Sequence, residues 1–506
     1  MSNLELNAEE ILESAIEKSR EIMNSQPQVA EIILKQLIKC KPDHPEGLQL
    51  LGLLEHRLGK HAEAIEIIQV AIEVDPECAE NHNNIGLAYA CLGEYEKSIE
   101  HIEKAVEMKT DHYVFLNNLA LQYRQVGRYD ESIDTFQKAI DANNTPQIWG
   151  NLGGVWGELG NLEKSEECFM NALEIDPNYP AAHVDIAFIN HLRGNWEKGF
   201  EEYEWRFDHF PQLQFYKKVY DQEKKWDGKA DLKGKTIILY GEQGLGDTIQ
   251  FVRYVKVLKE KGCHVIVHCP SSLNAVISRC EGVDEIVNRD IVTGKGDPLP
   301  EYDYQCSLLS LPHLLKVVDV GTSPYISPIV TLNTKEQYPD TFNIGICWAG
   351  SPAHPKDAER SIKLKHFKPI HDIPNVKLFS LQVDMRKRSY VNTLSNLDLT
   401  EDCDDIRIVD MTNMIQTFDD SATIISGLDL VISCDTALVH LAGAMGVPCW
   451  ALIPYSPDWR WGIEGDKTNW YESLTLIRQK ERGDWTGVFE EVKDRLNKNF
   501  SLPETT

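Results

Sequence analysis

No stretch of this 506-residue chain approaches the roughly 18 consecutive apolar residues that a spanning helix needs, so no membrane span is expected. The twelve cysteines stand singly, with no Cys-x-x-Cys pair and no Cys/His cluster at zinc spacing, which argues against a disulfide framework. Basic residues are scarce: 51 Lys and Arg face 79 Asp and Glu, for a net charge of −28. A general nucleic-acid binder needs the opposite balance, so no nucleic-acid partner is expected. The first residues, MSNLELNAEEILE, are acidic and amphipathic and do not read as a secretory signal. Reduced thiols in the cytoplasm are the resulting expectation.

What is present begins with a period. Gly59, Gly93, Gly127, Gly160 and Gly194 stand 34, 34, 33 and 34 residues apart. Gly52, Gly86, Ala120, Gly153 and Ala187 precede them in phase, and Ala71, Ala105, Ala139 and Ala172 follow. Small residues at fixed phase let paired helices approach closely, and Pro76 and Pro177 stop the second helix of a pair. The pattern resembles the tetratricopeptide repeat, with a degenerate early unit around Ser25, Ala30 and Pro42 and about six helix pairs from residue 8 to 208. Such an α-solenoid binds extended partners on its concave face. Asn84, Asn118 and Asn151 share one repeat position and Asp185 takes the next slot, forming a candidate acceptor groove. Amide side chains can grip a polypeptide backbone without reading its sequence; the alternative is that each bonds within its own repeat. The ladder is similar to that in the repeat domain of protein O-GlcNAc transferases. Residues 1–206 hold 37 Asp and Glu against 17 Lys and Arg, which favours basic partners or reflects a solvated surface.

From Lys235 the pattern turns to α/β. KTIILY, HVIVHC and DEIVNR read as strands, followed by NIGICWAG, VKLFSLQV, IRIVDM, DLVISC and VPCWALIP, with amphipathic helices between. The alternation predicts parallel sheets and two Rossmann-like domains facing across a cleft. The expected domains are a solenoid at 1–208, a connector at 209–234, a first Rossmann-like domain at 235–335 and a second at 336–506. Ligands lie beyond the C-terminal strand ends of such sheets.

The loop YGEQGLGDTIQF (240–251) falls at one such end. A Walker loop would need lysine where Asp247 stands, and a dinucleotide fingerprint would need glycine at Ile249. A glycine-rich turn with an acid at the helix start remains. Asp247 reads as a helix cap, kept ionised by the helix dipole. Farther on, VISCDTALVHLAGAMGVPCWALIP (431–454) places Asp435 and Thr436 at a helix start ready for an anion, with His440 in its first turns and DWRW (458–461) close after.

G-L-G-D in the first half and D-T-x-L-x-H-L-A in the second resemble the bacterial heptosyltransferases (glycosyltransferase family nine). With the repeats, they also resemble the protein O-GlcNAc transferases. The resemblance implies a two-Rossmann (GT-B) glycosyltransferase, inverting and metal-independent, that uses a nucleotide-diphosphate sugar and no cofactor. It makes Asp247 the catalytic base, with Gly244 where the family has serine. It gives Gly246, Asp435, Thr436, Ala437 and His440 to the donor, with Ala437 in place of the family glycine. The family's phosphate-neutralising cation falls on Arg360 or Lys356, Arg360 preferred with Ser361 capping the next helix. Trp348, Ser351 and Gln382 are further donor candidates at strand ends facing the cleft. Asp402-Cys403-Asp404 has the form of a metal-binding D-x-D but reads as a solvated acidic loop, so no metal is expected. A polypeptide acceptor in the repeat groove is the leading reading. The alternatives are a glycan or lipopolysaccharide-core acceptor with the repeats as a docking module, or a non-catalytic scaffold.

Overall fold

The computed structural model describes residues 2–499 apart from 289, 291–294, 323, 355 and 384–405, with side chains from residue 9 to 498. The acidic run 402–404 therefore lies outside the described residues. Contacts divide the chain into two units, Met1–Ala182 and His183–Thr506.

The first unit is a stack of antiparallel helix pairs: α1 (Ser2–Ile22) with α2 (Pro27–Cys40), α3 (Pro45–Arg57) with α4 (His61–Val74), and α5 (Ala79–Cys91) with α6 (Tyr95–Met108). Next come α7 (Tyr113–Gln125) with α8 (Tyr129–Ala142), and α9 (Pro146–Glu158) with α10 (Leu162–Ile175). The division falls inside α11 (Pro180–Leu192), which α12 (Trp196–Glu202) follows. The repeat glycines do two jobs. Gly59, Gly93, Gly127 and Gly160 turn the chain between paired helices at φ of +79°, +79°, +79° and +75°, a region other residues enter only with strain. Gly52, Gly86 and Gly153 instead let helices touch: an added Cβ would lie 2.4, 2.5 and 2.6 Å from Ile68, Ile102 and Phe169. Each such contact buries a large apolar side chain, which stabilises by about 1.5–3 kcal/mol.

The second unit carries two fully parallel sheets. The first has the order β3-β2-β1-β4, with β1 (Thr236–Tyr240), β2 (His264–His268), β3 (Glu285–Val287) and β4 (Tyr304–Ser307). The second has the order β10-β9-β8-β5-β6-β7. Its strands are β5 (Phe342–Cys347), β6 (Val376–Ser380), β7 (Ile408–Asp410), β8 (Leu430–Cys434), β9 (Cys449–Ile453) and β10 (Leu474–Arg478). Both faces of each sheet are covered. Ile237 and Leu239 pack on one side of β1, and Ile238 and Tyr240 on the other. On β9, Ala451 and Ile453 likewise oppose Trp450 and Leu452. Burial on both faces explains why these strands read as continuous apolar runs. In the second sheet the order of successive strands reverses between β5 and β8, the kind of point where such sheets bind ligands.

Three expectations about local structure change. Residues 209–234, expected as a connector, form short helical turns whose Leu213 and Tyr220 pack on Ile238, Tyr240 and Ile266 of the first sheet. Strands β4 and β10 escaped the sequence reading. In β4 only four residues, YQCS, form the strand, and its polar side chains are buried by hydrogen bonding instead of by apolar character. The helix expected after Ser361 is a pair of single turns, Leu364–Phe367 and Lys368–His371.

Candidate functional site: two loops joined by two buried arginines

The loop after β1 and the helix after β8 meet directly. The helix Leu245–Phe251 follows Gly244, and the helix Ala437–Met445 follows Thr436, its N-cap residue. At Gly246 an added Cβ would lie 2.7 Å from His440 Cδ2 and 3.5 Å from the Ala437 Cα, so only glycine permits this approach. The imidazole of His440 is buried, its Nδ1 2.9 Å from the Tyr471 hydroxyl and its ring stacked on Trp461 at 5.3 Å. Burial, helped by the Arg460 charge, pushes His440 down to about 3 and keeps it neutral. His440 thus joins the two motifs as a packed, neutral ring.

The glycines of the first loop serve close approach, not turning. Gly241 makes room for Thr248, whose Oγ1 would lie 2.5 Å from an added Cβ. The left-handed residue is Gln243, at φ +60°, and its side chain is held at the Tyr203 hydroxyl. A non-glycine residue there carries strain of about 1–2 kcal/mol.

Asp247 is the third residue of its helix, not the cap. Its Oδ2 accepts the Gly244 N–H at 2.7 Å, and its Oδ1 accepts from Arg460 Nη2. The expected dipole effect is overridden: burial raises the Asp247 carboxyl above its ordinary range, with Arg460 and the Gly244 amide opposing. Desolvation wins because the group is only 14 % exposed. Arg460 also donates to Gln250 Oε1 at 2.7 Å and to Asp458 at 2.8 Å, with its guanidinium over the Trp459 ring at 4.0 Å.

The other acid of the loop, Glu242, is fully buried and meets Arg206, which is equally buried. Arg206 Nε donates to Glu242 Oε1 at 2.8 Å and its Nη2 to Ser310 Oγ at 2.8 Å; Ser307 Oγ donates to the same Glu242 oxygen at 2.7 Å. Glu242 Oε2 has no partner among the described residues. Both acids of GEQGLGD are therefore held by an arginine from a Trp-Arg dipeptide, Trp205-Arg206 and Trp459-Arg460. Neither arginine was assigned from sequence. The available signal was a cation beside tryptophan in an acidic chain, in the dipeptides Trp205-Arg206 and Trp459-Arg460.

Around the second helix start, Arg360 Nη1 donates to the Asp435 carbonyl at 3.0 Å and its Nε to Asp357 at 3.2 Å. Gly350 leaves room for that guanidinium. Asp435 is held up at about 6 by burial, with Asp458 pushing the same way. Thr436 Oγ1 lies 3.2 Å from Ser433 Oγ. Arg360, Asp435, Thr436, Ala437, Arg460 and Asp247 thus gather at the ends of β1, β5, β8 and β9.

Other candidates fall elsewhere. Trp348 is only 9 % exposed and packs in the core with Ile362 and Phe367, so it does not face a cleft. Gln382 is spent on the chain itself: its Oε1 accepts from the Trp348 and Ala349 amides and its Nε2 donates to the Ala349 carbonyl. Ser361 ends the turn Asp357–Arg360 instead of capping the next one, whose N-cap is Lys363; its hydroxyl accepts the Gly350 N–H at 3.2 Å. Ser351 is half-buried and Lys356 exposed in the loop after β5. A cavity of about 780 Å³, lined in part by Arg253, Trp470 and Tyr471, shares only Tyr471 with the His440 contacts and does not include Asp247 or Asp435.

In the repeats two of the asparagines, Asn118 and Asn151, bond to the preceding unit, while Asn84 bonds within its own. Asn118 Nδ2 donates to Asn83 at 2.9 Å, Asn151 Nδ2 donates to Asn117 at 2.8 Å, and Asn83 Nδ2 donates to Asn84 at 3.3 Å. Asp185 occupies the corresponding place on α11. An amide has two donor hydrogens and a carbonyl oxygen, so one bond each leaves capacity for a ligand.

Tetratricopeptide-repeat family models match residues 79–112 and, in a second form, 45–78, 114–146 and 146–179. The protein FlbA of Caulobacter vibrioides is 21% identical over 407 residues, covering 69% of this chain; the chain spans 66% of FlbA's own length. A tetratricopeptide repeat protein from Parabacteroides merdae is 22% identical, covering 39% of this chain and 79% of its own, at a TM-score of 0.35. A thermophilic tetratricopeptide-repeat protein of Thermus thermophilus is 18% identical, covering 35% of this chain and 98% of its own, at a TM-score of 0.32. Among the described residues no helix is long and apolar enough to cross a membrane. Residues 45–179 are tetratricopeptide repeats, and a parallel α/β region follows them.

Proposed function

We propose that the α/β region is a GT-B-type glycosyltransferase and that the repeats bind its polypeptide acceptor. The observation that carries this reading is the meeting of Gly246, the neighbour of Asp247, with Ala437 and His440, from two motifs about 190 residues apart in sequence. In the proposed reaction an acceptor hydroxyl attacks the anomeric carbon of a nucleotide-diphosphate sugar while its proton passes to Asp247. The bond from that carbon to the diphosphate oxygen breaks, the nucleoside diphosphate leaves, and the anomeric centre is inverted. Burial suits Asp247 to this role, since a raised carboxyl is a better proton acceptor than an ordinary one. Arg360 and the free amides starting the helix Ala437–Met445 would face the diphosphate, so the reaction needs no metal. Thr436 and Asp435 would border the donor, and Asn84, Asn118, Asn151 and Asp185 the acceptor chain. The domain limits 1–208, 209–234, 235–335 and 336–506 belong to this same reading, as does a cytoplasmic site of action.

A non-catalytic scaffold is the second reading, and one observation favours it. Both Asp247 oxygens are engaged and His440 fills the space beside Gly246, so the motifs brace each other as well as they could face a substrate. Calorimetry of the full chain with UDP-, ADP-, GDP- and dTDP-sugars separates the two. The transferase reading expects one nucleotide class to bind, with binding weakened at least about tenfold in Arg360→Ala, the loss of a charge-assisted contact. Absence of binding across the panel would leave the scaffold.

A further inference from the structure

The repeat array holds three side chains that its own packing does not require. His56 lies near the end of α3, His61 opens α4 and Cys91 ends α5, and one ligand atom from each lies within 4.8 Å of the others. The His56 and His61 Nδ1 atoms are 3.3 Å apart, with ring planes inclined at 56°. Two imidazole nitrogens bound at about 2.0–2.1 Å to one tetrahedral ion sit about 3.3–3.4 Å from each other. The Cys91 side chain is exposed, so its sulfur can rotate toward the same point.

The repeat supplies its own comparison. In the phase set by Gly59, Gly93, Gly127 and Gly160, the place of His56 is taken next by Ala90, Arg124 and Gly157. That of His61 is taken by Tyr95, Tyr129 and Leu162, and Cys91 stands where the preceding unit has Arg57. Helix pairing therefore tolerates other residues at all three positions. A second imidazole pair, His82 and His101, also has its Nδ1 atoms 3.3 Å apart, but those rings are stacked at 28° and Tyr89 stacks on His101. Among the described residues only His56, His61 and Cys91 form a group of three. The sequence concealed it because the ligands span 36 residues and three helices, unlike the short spacing of a zinc motif.

We propose that His56, His61 and Cys91 bind one zinc ion in tetrahedral geometry, with water in the fourth position, tying the α3–α4 pair to α5 of the next repeat. Mixed nitrogen and thiolate ligands suit this ion. On binding, the Cys91 thiol proton leaves to solvent, and each imidazole coordinates through Nδ1 with its proton on Nε2.

The test uses the full chain, stripped of metal and kept reduced, titrated with Co²⁺ and then Zn²⁺. The expected result is a tetrahedral cobalt spectrum with a thiolate charge-transfer band saturating at one equivalent, erased by one equivalent of Zn²⁺. Cys91→Ser should abolish the charge-transfer band. His56→Ala and His61→Tyr, which install what the next repeat carries, should weaken binding by at least about tenfold with helical circular dichroism unchanged. A chain that shows no tetrahedral cobalt spectrum, or one whose spectrum survives these changes and is lost only in His82→Ala, would overturn the proposal.

Discussion

The repeat array and the α/β region are stabilised in opposite ways. In the repeats, telling contacts recur at the period of the sequence: Asn151 bonds Asn117, 34 residues back, as Asn118 bonds Asn83, 35 back. In the α/β region, Asp247 meets Arg460 from 213 residues away and Arg206 meets Ser310 from 104 away, each once and each buried. A repeated contact can fail locally, because each repeat leans only on its neighbours. A single buried ion pair cannot, because removing one partner strands the other's charge.

The largest effect is expected from Arg206→Met. It should leave Glu242 buried without its cation and destabilise the α/β region by about 3–5 kcal/mol. Hydrogen exchange should show protection lost in β1 and β4 while α3–α8 keep theirs. Equal loss in both regions, or none, would contradict the contrast. Gly246→Ala should come next, at about 1–3 kcal/mol, since His440 is held by Tyr471 and Trp461 and cannot swing away from a new Cβ. Denaturant midpoints measure it, and a neutral result would mean the two loops do not touch.

A smaller effect tests the electrostatics. Asp435 sits at about 6 against an ordinary 3.8, so its ionised form is penalised in the folded chain. The penalty is absent below the ordinary value, grows as pH rises from about 4 to about 6, and is full above that. Asp435→Asn should therefore gain stability over the parent through that window, levelling near 1–2 kcal/mol once partial exposure is discounted. A constant difference across pH would show that the group is not raised. The smallest effect is expected in the repeats: Asn118→Ala should cost about 0.5–1 kcal/mol, confined in hydrogen exchange to α5 and α7.

These magnitudes follow what the sequence could and could not reveal. The solenoid was legible because its glycines and alanines repeat, and period is a local property. The strands β1, β2, β5, β8 and β9 were legible because burial on both faces makes them apolar throughout. Short β4 was not, since Gln305 and Ser307 are buried polar residues that resemble a loop. At the site, the sequence singled out Asp247, Asp435 and His440 but not what holds them. Asp247 was taken for a cap, yet its helix begins two residues earlier and its partner is an arginine on the far loop. No local pattern predicts that burial would outweigh the dipole, because burial is set by segments hundreds of residues apart. Trp348 shows the same limit: a tryptophan at a strand end can face a ligand or the core, and here it is core.

Asp247 is proposed to receive a proton in a sugar transfer. The decisive measurement is turnover of a bound nucleotide-diphosphate sugar, with a polypeptide acceptor, by the full chain and by Asp247→Asn. Turnover by the parent is expected, with a loss of about 10²–10⁴-fold in the variant and donor binding retained. Equal turnover in both chains would contradict it.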